Sequence, residues 1–177
     1  QIASTIDPLT SGLLIAQTKQ WINQSYFQKF KKHFSCKEEV DIVAEFFFLI
    51  SNLYSSQEEY EKSNFYLNIS NYLNPKFYFN LSLLAEDYLI NRNFDLSRKV
   101  LEKFDEKDEI YNWYKMKKIA QIIAQQQNND QSLKFVENKF LEFKKPSTRI
   151  LFDMANIYKN YEKYEKAIEY YSIVLSQ

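Results

Sequence analysis

The stretch AEFFFLISNLYSSQEEYEKSNFYLNISNYLNP, Ala44–Pro75, carries the pattern that the rest of the sequence repeats. Its first half places Phe47, Ile50, Ser51 and Tyr54 at three- and four-residue spacing. At about 100° per residue these four fall within one narrow arc of a helix. After the polar break at SSQEE, Tyr60, Ser63 and Leu67 repeat the pattern, so the stretch reads as helix, turn, helix. The same residue types return as Leu81, Leu84, Ala85 and Tyr88, a displacement of 34 residues from Tyr54 to Tyr88. Met116, Ile119, Ala120 and Ile123 follow, then Leu151, Met154, Ala155 and Tyr158, each set 35 residues after the one before. A fixed period of this size marks a repeat whose units cannot bury their apolar faces alone and must stack.

Numbered from the start of each unit, two columns are uniformly small. The eighth place carries Ser51, Ala85, Ala120 and Ala155, and the twentieth carries Ser63, Ser97, Ser132 and Ala167. In a chain this rich in bulky residues, such columns mark where two helix axes approach closely, and a Leu there would cost about 1 to 3 kcal/mol in overpacking. The seventeenth place carries Tyr60, Phe94 and Tyr164, with Asn129 breaking the column; the twenty-fourth carries Leu67, Leu101, Val136 and Tyr171. Turns are expected near Gln57, Arg92 and Asn128. Pro75 should stop the helix before it. Asp130, within NNDQS, is a candidate N-cap for the helix that follows.

On this period and these columns, residues 44–177 resemble the tetratricopeptide repeat (TPR) family, and residues 11–43 resemble it more weakly. In that first region Trp21, Phe27 and Phe34 lie 33 residues before Tyr54, Tyr60 and Leu67, although Phe30 takes a place that later units give to a small residue. A helix is expected from about Leu9 to Asn23, with Asp7 and Thr10 as candidate N-caps around Pro8. An amphipathic helix is expected over SYFQKFKKHF, with Phe27, Phe30 and Phe34 as its stripe. The division that follows is a connection over 1–10, a degenerate helix pair over 11–43, repeats over 44–77, 78–112 and 113–147, and a truncated repeat over 148–177. The resemblance implies an all-α chain, an α-solenoid in which antiparallel helix pairs form a right-handed superhelix. It further implies binding of a peptide or protein segment in a concave groove, and no catalysis.

Composition narrows the partners. Lys plus Arg equals Asp plus Glu, 23 each, so no global field draws the chain to nucleic acid or an anionic membrane. One glycine and three prolines in 177 residues favour helices joined by short turns. No apolar run is long enough to span a bilayer, and the start has no signal-peptide pattern, which leaves cytoplasm and periplasm both open. The excess of Asn, Lys, Ile, Phe and Tyr fits an AT-rich genome. The chain opens at Gln1 and closes at Gln177 inside a second helix, so a piece of a longer, bacterial protein is expected, with Tyr171, Val174 and Leu175 lacking a covering helix.

Chemistry-bearing clusters have plainer explanations. His33 and Cys36 lie one helical turn apart, but a structural zinc site wants four ligands and the chain has no second His or Cys. Glu58, Glu59 and Glu61, and the acids of Asp105–Glu109, lack the alternating ligands and glycine of a calcium loop and suit helix starts instead. The basic runs Lys115–Lys118 and Phe143–Lys145 read as solvated helix faces. With one His in the chain a Ser-His-Asp arrangement has little support, and one glycine cannot build a phosphate loop. The NXS triplets at Asn23, Asn68 and Asn80 match a glycosylation acceptor but fall in predicted helices or at their ends. No catalytic, metal or cofactor site is expected.

The second, fifth, ninth and twelfth places of each first helix lie on a different face from the packing arc, and the family resemblance implies that this face lines the groove. The candidate lining is Phe48 and Asn52, then Phe79 and Glu86, then Tyr114, Lys117 and Gln121, then Arg149, Phe152 and Asn156. The four aromatics are candidate binding anchors, with burial by neighbouring repeats as the alternative. Lys117, Arg149 and Lys159 favour an acidic ligand segment. TPR domains that clamp a chaperone's C-terminal carboxylate place Lys and Asn in one first helix, Asn in the next, and Lys plus Arg in the third. The matching places here are Phe48, Asn52, Leu83, Tyr114 and Lys118, so such a clamp is not expected. The function expected is a non-enzymatic protein-interaction scaffold with no nucleic-acid partner. The alternatives are an RNA-binding helical repeat, disfavoured by neutral charge, and a regulatory segment of a larger enzyme.

Overall fold

The computed structural model describes residues 9, 11–26 and 38–176, and among them all regular structure is helical. Among the described residues nine helices follow one another: α1 (Leu13–Asn23), α2 (Glu39–Ser56), α3 (Tyr60–Leu73), α4 (Tyr78–Ile90), α5 (Phe94–Leu101), α6 (Glu109–Gln126), α7 (Asn129–Phe140), α8 (Thr148–Asn160) and α9 (Tyr164–Leu175). The chain is all-α. It forms two compact units, one comprising Leu13–Lys115 and the other Met116–Gln177 with the described residues of Gln1–Gly12; the division falls inside α6. In the first, α2 packs on α3, α3 on α4 and α4 on α5; in the second, α8 packs on α9.

Helix boundaries follow local chemistry. The turn after α2 closes as a Schellman motif, in which the Glu59 N–H donates to the Tyr54 carbonyl and the Glu58 N–H to that of Ser55. The same pair of bonds recurs with Asn93 to Tyr88 and Arg92 to Leu89, with Lys163 to Tyr158 and Glu162 to Lys159, and with Tyr26 to Trp21 and Ser25 to Ile22. Each motif needs one left-handed residue, and Ser25, Glu58, Arg92 and Glu162 have φ of 58°, 61°, 59° and 59°. These positions keep the sequence period, and the buried Trp21 takes the place that Tyr54 holds in the next turn.

The turn between α6 and α7 departs from this plan. There Asn128 is extended, and its side chain accepts from the Gln131 N–H at 2.8 Å. Asn128 is therefore the N-cap in place of the expected Asp130, which sits in the first turn of α7. The expected breaks near Gln57, Arg92 and Asn128 are all present. Helix α1 begins at Leu13, four residues after the expected start. The candidate caps Asp7 and Thr10, the Phe27, Phe30 and Phe34 stripe, and His33 and Cys36 lie outside the described residues.

Both small columns are buried without exception: Ser51, Ala85, Ala120 and Ala155, and Ser63, Ser97, Ser132 and Ala167. Size is half of the reason. The Ser97 hydroxyl donates to the Ala85 carbonyl at 2.9 Å, and that of Ser132 to the Ala120 carbonyl at 2.7 Å. Ser97 and Ser132 thus satisfy their hydroxyls on the backbone of the neighbouring helix, each such bond contributing about 1 kcal/mol net. Leu67, Leu81, Leu84 and Leu101 complete the core of the first unit, and Ile122, Val136, Ile150 and Met154 that of the second.

Candidate functional site

In the unit Leu13–Lys115, the candidate lining divides by exposure. Asn52 is exposed on α2, while Phe79 and Glu86 are half-buried on α4. Phe48 and Tyr114 are buried, so for these two the burial alternative replaces the exposed-anchor reading. Phe48 packs against Phe77 and Phe79, ring centroids 5.4 and 5.3 Å away, because the connection before α4 brings a ring that the helix arithmetic of α2 alone does not include. Tyr114 lies edge-on to Phe104 at 5.8 Å, and its hydroxyl donates to the Ser82 carbonyl at 2.9 Å. Burial, then the negative charge of Glu86, pushes the Tyr114 phenol well above its ordinary value, so it stays a neutral donor at physiological pH.

The same unit holds a buried carboxylate that the helix pattern did not single out. Asp87 is fully buried on α4 and accepts from Ser55 at 2.6 Å and from Ser63 at 2.5 Å. Burial raises its pKa, the two hydroxyls lower it and the Glu86 charge raises it, with the net direction upward. A signal was present in the sequence: Asp87 occupies the tenth place, where the other units carry Leu53, Ile122 and Ile157. Asp108, expected at a helix start, accepts from the Tyr111 N–H at 3.2 Å and from Gln17 at 2.6 Å, so this acid caps α6. Asn80 is buried and donates to the Leu67 carbonyl at 3.3 Å, which closes that NLS triplet to modification in the folded chain.

In the unit that follows, Gln121 is exposed, and Lys117, Arg149, Phe152 and Asn156 are half-buried. The cations are engaged. Lys117 pairs with Asp153 at 2.7 Å, and Arg149 donates to the Ser11 carbonyl at 2.7 Å. Asn156 accepts from the Tyr171 hydroxyl at 2.7 Å, and the Tyr171 ring lies edge-on to Phe152 at 5.9 Å. These contacts engage the first-helix side chains of α8 and leave less free positive charge than the sequence suggests. Glu137 gathers a second network: it accepts from Tyr158 at 3.0 Å and from Lys166 at 2.7 Å, and the ammonium lies 5.0 Å from the centre of the Tyr158 ring.

A cleft of about 290 Å³ opens in this unit. Lys117, Ala120 and Gln121 of α6, Asn129 and Val136 of α7, Ile157 and Asn160 of α8, and Tyr161 just beyond α8 line it. Two of these, Lys117 and Gln121, belong to the candidate groove; the rest were not foreseen as site residues. The Tyr161 hydroxyl is held by Ser132 at 2.8 Å, which fixes one wall.

Among the described residues no group of three or more His, Cys, Asp or Glu is placed to hold a metal ion, and no helix is long and apolar enough to cross a membrane. Compared with known proteins, the chain matches no family model and no curated protein.

Proposed function

We propose that this chain is a non-enzymatic interaction segment of a TPR-type solenoid, in which stacked helix pairs present their first helices to a peptide or protein segment lying in a concave groove. One observation carries the reading: the ninth place of the four first helices bears Asn52, Glu86, Gln121 and Asn156, none of them buried. Asn52 and Gln121 are exposed, and side-chain amides can donate to and accept from an extended backbone, which offers both kinds of group at regular intervals. The recurrent Schellman turns and small columns support the stacked-repeat part of the proposal. The pairing of Lys117 with Asp153 weakens the case for a strongly acidic ligand. A mixed, polar peptide with apolar anchors fits the surface better.

The test is to select peptides from a display library on the immobilised chain and titrate the best one by calorimetry. Asn52→Ala and Gln121→Ala should each weaken binding by about tenfold, equivalent to about 1.4 kcal/mol. Glu169→Ala, on the exposed side of α9, should leave it unchanged. If only Glu169→Ala weakens binding, the second helices carry the partner and the reading fails.

A further inference from the structure

The cleft beside α6 coincides with the one break in an aromatic column. Tyr60, Phe94 and Tyr164 occupy the seventeenth place of their units, and Asn129 stands there in the third. Tyr60 and Phe94 are half-buried, whereas Tyr164 is exposed. Asn129 is shorter than either by most of a ring, and it lines a space of about 290 Å³. Of the other lining residues, Ala120 and Val136 are buried and Ile157 half-buried, giving an apolar floor; Gln121 and Asn160 are exposed amides, and Lys117, paired with Asp153, is half-buried. The volume lies at the small end for ligand pockets, about 300 to 1,000 Å³, and suits a single side chain better than a whole cofactor.

From this geometry we infer that the cleft receives one aromatic side chain of the bound partner, which takes in trans the seventeenth-place position that the half-buried Tyr60 and Phe94 hold in their own units. The apolar floor takes the ring by burial, and the rim amides take a phenolic hydroxyl or the backbone beside it. The Ser132 bond to Tyr161 holds one wall open before the ring arrives, so little ordering is required on binding. The inference rests on the interaction reading above and names the partner's chemistry: a peptide segment with a Tyr or Phe at one fixed position.

The experiment uses the whole chain with methyl labelling and N-acetyl-tyrosinamide as the probe, with N-acetyl-alaninamide as the comparison. The tyrosine probe should produce saturable shifts of the Ala120, Val136 and Ile157 methyl signals, with affinity on the order of 1 mM, as expected of a fragment that fills one small site. The alanine probe should produce none. Asn129→Tyr, an exposed first-turn position of α7, should fill the space and weaken the tyrosine probe by about tenfold or more. Absence of methyl shifts up to the solubility limit, equal shifts with both probes, or unchanged binding by Asn129→Tyr would each overturn the inference. If the probe fails while selected peptides still bind through Asn52 and Gln121, the cleft is wrong and the groove stands. If the probe binds and no peptide does, the reverse holds.

Discussion

At the scale of single residues, the structure shows where this sequence accepts strain. Glu58, Arg92 and Glu162 hold left-handed backbone with side chains that disfavour it. Left-handed geometry costs an L-residue about 1 to 2 kcal/mol, and glycine returns about 0.5 to 1 kcal/mol of that in unfolded-chain entropy. Arg92→Gly should therefore stabilise by about 0.5 to 1 kcal/mol in urea titration. The adjacent Asn93→Gly, at φ −83°, should not stabilise. Two carboxylates should respond to pH with opposite signs. Asp87 is raised by burial, against which the Ser55 and Ser63 hydroxyls pull it down less strongly. The folded chain then binds its proton more tightly than the unfolded chain, so this contribution to stability falls as pH rises from the unfolded pKa, about 4, through the folded one. Burial also raises Glu137, but bonds from Lys166 and Tyr158 and the Lys166 and Lys163 charges outweigh it and hold it low. Its contribution is present above the unfolded value and is lost as pH falls through the folded one. Urea midpoints measured against pH should show the first slope removed in Asp87→Asn and the second in Glu137→Gln; curves parallel to the parent chain would refute both assignments.

At the scale of elements, the helix pairs were legible in the sequence because two independent signals share one period. The small columns fixed which helix faces meet, and all eight members are buried. Ala155→Leu and Ala167→Leu should each destabilise by about 1 to 3 kcal/mol, whereas Glu162→Gln, an exposed turn residue, should change little. Equal losses in all three would put the register in error. The candidate lining was only partly legible, for a physical reason. A single helix's arithmetic says which way a side chain points and not what arrives there from the next connection: Phe77 covers Phe48, and the Ser82 carbonyl receives Tyr114. Asn128 rather than Asp130 caps α7 for a similar reason, since either side chain can accept from an N–H two or three residues on and the chain chose the earlier. The cleft had a sequence trace in Asn129, which read as a broken column until its neighbours could be placed around it.

At the scale of the whole molecule, the proposal is that repeated helix pairs present first-helix side chains to a bound segment. Such a scaffold gains little from any single residue and much from regularity, since each unit's stability depends on the one beside it. The central claim is that a peptide lies along the first helices, and amide chemical-shift mapping of the labelled chain with the selected peptide tests it most directly. The account predicts perturbations concentrated on α2, α4, α6 and α8, centred on Asn52, Glu86, Gln121 and Asn156. Perturbations confined to α3, α5, α7 and α9 would contradict it.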